Sequence, residues 1–211
     1  MKTQNKWQRI GIILIAILIG VGVPEFITNQ NTEDLEVENT EVIEADTSID
    51  NVGSENNLDA VKFIRCVDGD TIIVEDKSGE QKRVRMIGID TPESVAKEEE
   101  RNNEYGRMAS DYTKELLSNV DTLYLEYDVD NDDQYDRILA YVWLKDVSDT
   151  FNEENIKNSM VNAIIVAEGY GIAKRYEPTV AHDDVLQGLT LEAKNNSKGL
   201  WQYEGFRDLW K

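Results

Sequence analysis

The chain reads as an α+β protein: a five-stranded β-barrel with three helices packed against it, preceded by two segments that do not belong to the folded part. Three observations predict this. From Val61 onward, β-rich runs and helical stripes alternate in the order three strands, one helix, two strands, two helices. Residues 29–60 hold ten Asp or Glu, no Lys or Arg and no aromatic residue, and so mark where the folded part begins. A single cysteine, Cys66, rules out an internal disulfide, so the domain must be held by an apolar core of its own.

Taken in order, the β-rich runs are 61–67, 71–76 and 81–89. Lys77-Ser78-Gly79 lies between the second and third and reads as a hairpin connection. Tyr105, Met108, Ala109, Tyr112, Leu116, Leu117 and Val120 follow with the spacing of one buried helix face. Two more strands are expected near 122–128 and 137–144, then a polar loop at 146–158. Helices are expected near 159–168 and 182–198, the last closed by Gly199 as a C-terminal cap. This order of strands and helices is that of an OB-type barrel. One conflict stands out: Arg85 and Ile87 share strand parity, so one of them faces the wrong way unless Gly88 or a neighbour breaks the strand.

The N-terminus carries Lys2, Lys6 and Arg9 ahead of an unbroken apolar or glycine run from Ile10 to Val23. A basic start, a short apolar stretch and a small-residue exit describe a secretory signal peptide, residues 1–28, with a retained membrane anchor through residues 10–27 as the alternative. The expected location is therefore secreted, or at the extracellular face of the cell membrane. Residues 29–60 read as a disordered acidic linker, 61–205 as the folded domain and 206–211 as a C-terminal tail.

The net charge is −20, and the part from Val61 onward still has 31 acidic against 19 basic residues, about −12. A plain electrostatic binder of nucleic acid would be basic. Any polyanion must therefore be met by local positive charge or a bound metal. One Cys and one His, His182, exclude a zinc site of the usual composition and a Cys–His nucleophilic pair. Cys66 sits in an apolar strand pattern and reads as a buried, inert thiol.

Three segments are rich in reactive groups: Asp68-Gly69-Asp70-Thr71, then Arg85 running into Asp90-Thr91-Pro92-Glu93, then Tyr135-Asp136-Arg137. Each has a plain structural reading. Asp-Gly is a turn signal, Asp90-Thr91-Pro92-Glu93 could cap a helix, and Tyr135-Asp136-Arg137 could simply open a strand. The second segment also suits a hard cation. Pro92 biases Thr91 toward an extended backbone, which places a fixed carbonyl between two carboxylates, and Ca²⁺ takes carboxylate, carbonyl and water oxygens. Together the segments offer clustered carboxylates for a metal, two guanidiniums for a phosphate and one carboxylate to handle a proton. Phosphodiester cleavage needs little else.

In this order and on these elements, the segments resemble the staphylococcal nuclease (thermonuclease) family. The resemblance runs from about Val61 to Trp201 and includes Glu104-Tyr105-Gly106, Leu139-Ala140-Tyr141, Met160-Val161-Asn162 and Gly199-Leu200-Trp201. It implies that Asp70 and Asp90 ligate Ca²⁺ by side chain and Thr91 by its carbonyl. Glu93 would orient or deprotonate the attacking water, while Arg85 and Arg137 clamp the phosphate. Tyr135 and Tyr176 would contact substrate. The implied activity is Ca²⁺-dependent hydrolysis of DNA and RNA with little sequence preference, leaving 3′-phosphate ends, by a monomer. The alternative is a non-catalytic OB-fold module that binds nucleic acid or protein. Several departures bear on affinity: Gln134 stands where many members carry Lys and Asp136 where they carry Gly, the stretch Lys174-Arg175-Tyr176-Glu177-Pro178 is one residue shorter and keeps only Tyr176 of two matching tyrosines, and the loop at 146–158 is longer.

Overall fold

The computed structural model describes residues 58–94 and 103–211. The signal or anchor segment and the acidic linker up to residue 57 lie outside the described residues. Among the described residues no helix is long and apolar enough to cross a membrane.

Five strands close into a barrel: β1 (Asp59–Asp68), β2 (Thr71–Glu75), β3 (Gln81–Met86), β5 (Thr122–Glu126) and β6 (Ile138–Trp143). Around the barrel the order is β1-β2-β3-β6-β5, and β5 pairs back onto β1. All neighbours run antiparallel except β3 and β6, which are parallel. The closed β3–β6 seam and the helix between β3 and β5 make this an OB-type α+β fold. β-branched and aromatic residues are frequent in β2 and β6, as a pleated half-buried surface favours. Ile72, Val74, Val84, Met86, Leu123, Leu125, Ala140 and Val142 fill the core. β1 bends to serve both neighbours through irregularities between Phe63 and Arg65 and between Cys66 and Asp68.

A two-stranded ribbon of β4 (Ile89–Asp90) and β7 (Ile172–Ala173) stands beside the barrel. The parity conflict at Arg85 and Ile87 disappears here, because β3 stops at Met86 and a turn at Ile87-Gly88 separates it from β4. Gly88 makes that turn at φ 75°, where a Cβ would also lie 2.7 Å from Leu186 Cδ1. Ile87 is thereby freed to bury itself while Arg85 stays on the opposite side of the chain.

Helix α1 (Glu104–Leu116) begins at Asn103, whose Oδ1 accepts the Gly106 N–H at 2.9 Å. The expected polar loop at 146–158 is only partly a loop. Its second half is α2 (Glu153–Ser159), capped by Asn152 and anchored by buried Ile156. Met160 then takes an extended conformation and bridges Trp143 before α3 (Val161–Ala167) begins. Asn162 on α3 is wholly buried; its Oδ1 accepts the Val142 N–H at 2.9 Å and its Nδ2 donates to the Ile87 carbonyl at 2.8 Å. That amide fastens the helix to the barrel and to the turn after β3.

Helix α4 (Asp183–Asn195) does not use Gly199 as its cap. Ser197, at φ 52°, takes the left-handed position, with the Lys198 N–H bonded to the Ala193 carbonyl and the Ser197 N–H to that of Lys194. Gly199 instead opens a 3-10 turn (Gly199–Gln202) pressed against Glu168 and Gly169, where a Cβ would meet the Glu168 carbonyl oxygen at 2.2 Å. The last residues, read as a tail, belong to α5 (Glu204–Leu209). Its Phe206 is fully buried in a second cluster with Ala109, Ala193, Leu200 and Trp201.

Candidate active site

The site is built where the β1–β2 turn, the β3–β4 turn and the start of β6 meet. Asp68 and Asp70 flank the turn between β1 and β2. Thr113 on α1 donates its hydroxyl to the Gly69 carbonyl at 2.8 Å, and the Met86 N–H donates to the Asp70 carbonyl at 2.9 Å. The Asp70 carboxylate then reaches across to the next segment: its Oδ2 accepts both the N–H and the hydroxyl of Thr91 at 2.9 Å each. Its Oδ1 accepts the Thr71 hydroxyl at 3.1 Å. Asp70 and Thr91 are both buried.

Arg85 lies between the two carboxylates expected to hold a metal. One terminal nitrogen is 3.3 Å from Asp70 Oδ2 and donates to the Met86 carbonyl at 2.6 Å. The other donates to Asp90 Oδ1 at 3.0 Å and to the Ile89 carbonyl at 3.1 Å. Only 13% of its side chain is exposed. The turn at 87–88 is what brings Ile89 and Asp90 back within its reach. On the far side of Asp90, Lys174 Nζ is 3.7 Å from Oδ2.

Glu93 is set by backbone packing on the start of α1. The Asn103 N–H donates to its carbonyl at 3.2 Å, and a Cβ on Gly106 would sit 2.1 Å from that same oxygen. Only glycine allows so close an approach. Just beyond, Ser94 donates its hydroxyl to Asp68 Oδ1 at 2.7 Å. Arg137 precedes β6 and pairs with Asp133, its Nε 2.7 Å from Oδ2.

Two cavities share these groups. A small polar one of about 120 Å³ is lined by Asp68, Asp70, Thr71, Arg83, Arg85, Thr91, Glu93 and Arg137. A larger groove of about 550 Å³ is lined by Arg85, Asp90, Glu93, Arg137, Tyr176, Glu177 and the acidic residues Asp130, Asp132 and Asp133. Arg85, Glu93 and Arg137 line both. Tyr176 is a groove wall, with Lys174 Nζ 6.0 Å from its ring centre. The Tyr135 side chain is not brought in: the residue is 68% exposed and lines neither cavity, and its ring lies beneath Arg137 at 5.5 Å.

Charge in the cluster is not fully compensated. Burial pushes the Asp90 carboxyl above its ordinary range and Asp70 adds to this, while Arg85 and Lys174 offset only part of it. Burial likewise raises Asp68, against the hydrogen bonds from Ser94 and Gly69. Carboxylates in that condition favour a further cation, and the donors on hand are hard oxygens. Among the described residues no three His, Cys, Asp or Glu side chains form a metal-holding group. The oxygens that could hold an ion here are the Asp70 and Asp90 carboxylates and the Thr91 carbonyl, which are hard donors of the kind Ca²⁺ takes. Cys66 is buried and unpaired, and burial pushes its thiol up to about 11, which leaves it protonated and inert.

Asp133 was not legible as part of this site, although its place four residues before Arg137 is the spacing of an ion pair. Lys174 carried no assigned role either; only the β4–β7 pairing, Asp90 opposite Ile172, brings it beside Asp90.

A five-stranded barrel with a cleft of carboxylates and guanidiniums at the β1–β2 and β3–β4 turns defines an OB-type protein with a charged site at one end of the barrel. Residues 83–203 match the family described as staphylococcal nuclease homologue. The chain is 41% identical to a thermonuclease of Staphylococcus hyicus over 148 residues, 70% of this chain and 79% of that one. It is 39% identical to a thermonuclease of Staphylococcus intermedius over 138 residues, 65% and 73% of the two chains. It is also 33% identical to the endonuclease YncB of Bacillus subtilis over 156 residues, 72% and 66% of the two chains. The chain belongs to the staphylococcal nuclease family.

Proposed function

We propose that this protein is a Ca²⁺-dependent nuclease that hydrolyses DNA and RNA phosphodiester bonds with little regard to sequence. The observation that carries this reading is the placement of Arg85, Glu93 and Arg137 at the junction of the carboxylate cavity and the larger groove. A phosphate at that junction meets two guanidiniums and one carboxylate at once.

The groups divide the work by their chemistry. Arg85 is held by four acceptors. Both terminal nitrogens are engaged, so a phosphate would meet Nε or take an N–H in exchange for a carboxylate; a donor anchored beside the phosphate in this way stabilises charge as it builds on the phosphoryl oxygens. Arg137 supplies the second positive edge. Glu93, whose backbone is fixed by Asn103 and Gly106, orients a water or takes its proton through its carboxylate as the water oxygen bonds to phosphorus. The bond from phosphorus to the 5′-oxygen breaks, that oxygen acquires a proton, and the 3′ side keeps the phosphate. Ca²⁺ held by Asp70, Asp90 and Thr91 would supply Lewis-acid charge on a phosphoryl oxygen. Nothing in this set reads a base edge, which supports action on both nucleic acids. The basic, then apolar N-terminus supports export, either released or held at the outer membrane face.

The test is digestion of single-stranded DNA and of RNA by the full chain, with Ca²⁺ and then with a chelator in excess. Cleavage to 3′-phosphate ends in Ca²⁺ and none with the chelator is the expected result. Binding of either substrate without cleavage in Ca²⁺ would refute the reading.

A further inference from the structure

Arg137 is held by a partner that no motif in the sequence singles out. Both oxygens of Asp133 are engaged, and they do different things. Oδ1 accepts two backbone N–H groups, from Tyr135 at 2.9 Å and Arg137 at 3.1 Å. Oδ2 takes the guanidinium edge of Arg137: Nε at 2.7 Å and one terminal nitrogen, Nη2. The backbone closes the same loop, with the Asp133 N–H donating to the Arg137 carbonyl at 3.0 Å and the Asp136 N–H to the Asp133 carbonyl at 3.1 Å. Asp136 makes this tight return at φ 57°. The Asp133 and Arg137 side chains are only 17% and 23% exposed, and both line the groove.

An arginine at the edge of a groove ordinarily samples many rotamers, and fixing it costs side-chain entropy. Here one edge of the fork is bound before any substrate arrives, and Nη1 is left outside the pair. We propose that Asp133 is a positioning residue for Arg137, one that presents the free edge of the guanidinium to the scissile phosphate. The inference rests on the nuclease reading of this site. Asp133 touches no substrate; it acts through the arginine. The Arg137 hydrogen bond is the largest of the pulls that hold its carboxyl below the ordinary range against the effect of burial, so the pair stays ionised throughout the neutral range.

The two roles of the carboxylate can be separated. Asp133→Asn keeps an oxygen for the two backbone N–H groups and turns an amide that cannot accept toward the guanidinium. Asp133→Ala removes both functions. Misplacement of a catalytic group by about 1 Å costs on the order of 100-fold, so kcat in Ca²⁺ should fall about 10- to 100-fold in both variants. KM should change far less, and the thermal midpoint of Asp133→Asn should stay near that of the wild type. The deciding measurement is the cycle with Arg137→Ala: once the arginine is gone, Asp133→Ala should change kcat by less than about twofold. Full kcat in both Asp133 variants, with Arg137→Ala impaired, overturns the positioning role alone. So does an equal fold-loss in both backgrounds, which would place the effect of Asp133 in the loop and not in the arginine. Full activity in Arg137→Ala would overturn the nuclease reading of the site and this inference with it.

Discussion

At the scale of single residues, the site is a set of negative charges held apart by two cations of the chain itself. Arg85 joins Asp70 to Asp90, and Lys174 stands on the other oxygen of Asp90. Burial, with Asp70 adding to it, still raises the Asp90 carboxyl despite Arg85 and Lys174. Its sign is plain: burial favours the protonated form, so the ionised form at neutral pH is the strained one and gains most from a further cation. Removing either metal-facing carboxylate should then weaken Ca²⁺ binding directly. Calorimetric titration of Asp70→Ala and Asp90→Ala should each show affinity lowered by at least about tenfold. Unchanged affinity in both would mean that the ion, if bound, sits elsewhere. The sequence offers Asp70, Asp90, Thr91, Arg85, Glu93 and Arg137 as candidates through its resemblance to a family, and the fold places Asp70, Arg85, Thr91, Glu93 and Arg137 around one cavity, with Asp90 on Arg85. The pairing of Arg137 with Asp133 could not be read from it, because a charge four residues away in a loop says nothing until the loop closes on itself.

At the scale of elements, alternation of apolar and polar residues was enough for the barrel strands, and the apolar spacing was enough for α1. The failures have local causes. The run at 81–89 divides into β3, a turn and β4, and the parity conflict between Arg85 and Ile87 is the trace that this break leaves in the sequence. Helix α2 was missed because Glu153-Glu154-Asn155-Ile156-Lys157-Asn158-Ser159 offers one apolar residue and so no periodic stripe. Its Asn152 cap was the remaining signal. Gly199 was misread as the cap of α4 because glycine is the usual left-handed residue there, whereas Ser197 fills that position and Gly199 is demanded by its contact with Glu168. Asn162 shows what single letters can hide: an amide in an apolar helix is the bolt between α3, β6 and the turn that aims Arg85.

At the scale of the whole molecule, charge sets the terms on which substrate is met. The part from Val61 onward carries a net −12, and the groove that holds both arginines is rimmed by Asp130, Asp132, Asp133 and Glu177. Few phosphates beyond the reacting one can find a cation, so KM should be high and affinity at saturating Ca²⁺ should depend weakly on monovalent salt. Each phosphate contact contributes roughly 0.7 to the salt slope for single strands. Gln134→Lys, which adds a cation to the loop that carries Arg137, should tighten binding and steepen the slope by about that amount, with maximal rate little changed. A steep slope in the unmodified protein, or none gained in Gln134→Lys, would show that the acidic rim does not govern substrate approach.

In the proposed nuclease, Arg85, Glu93 and Arg137 act together on one phosphate. The most direct test of this is the turnover of Arg85→Ala, Glu93→Ala and Arg137→Ala on single-stranded DNA in saturating Ca²⁺, with circular dichroism to verify the fold of each. Loss of one such donor typically costs about 10²–10³ in rate. Each variant should fall by at least that much while keeping the far-ultraviolet spectrum of the parent. Near-full turnover in any of the three, with the fold intact, would contradict the assignment of that residue and with it the shared site.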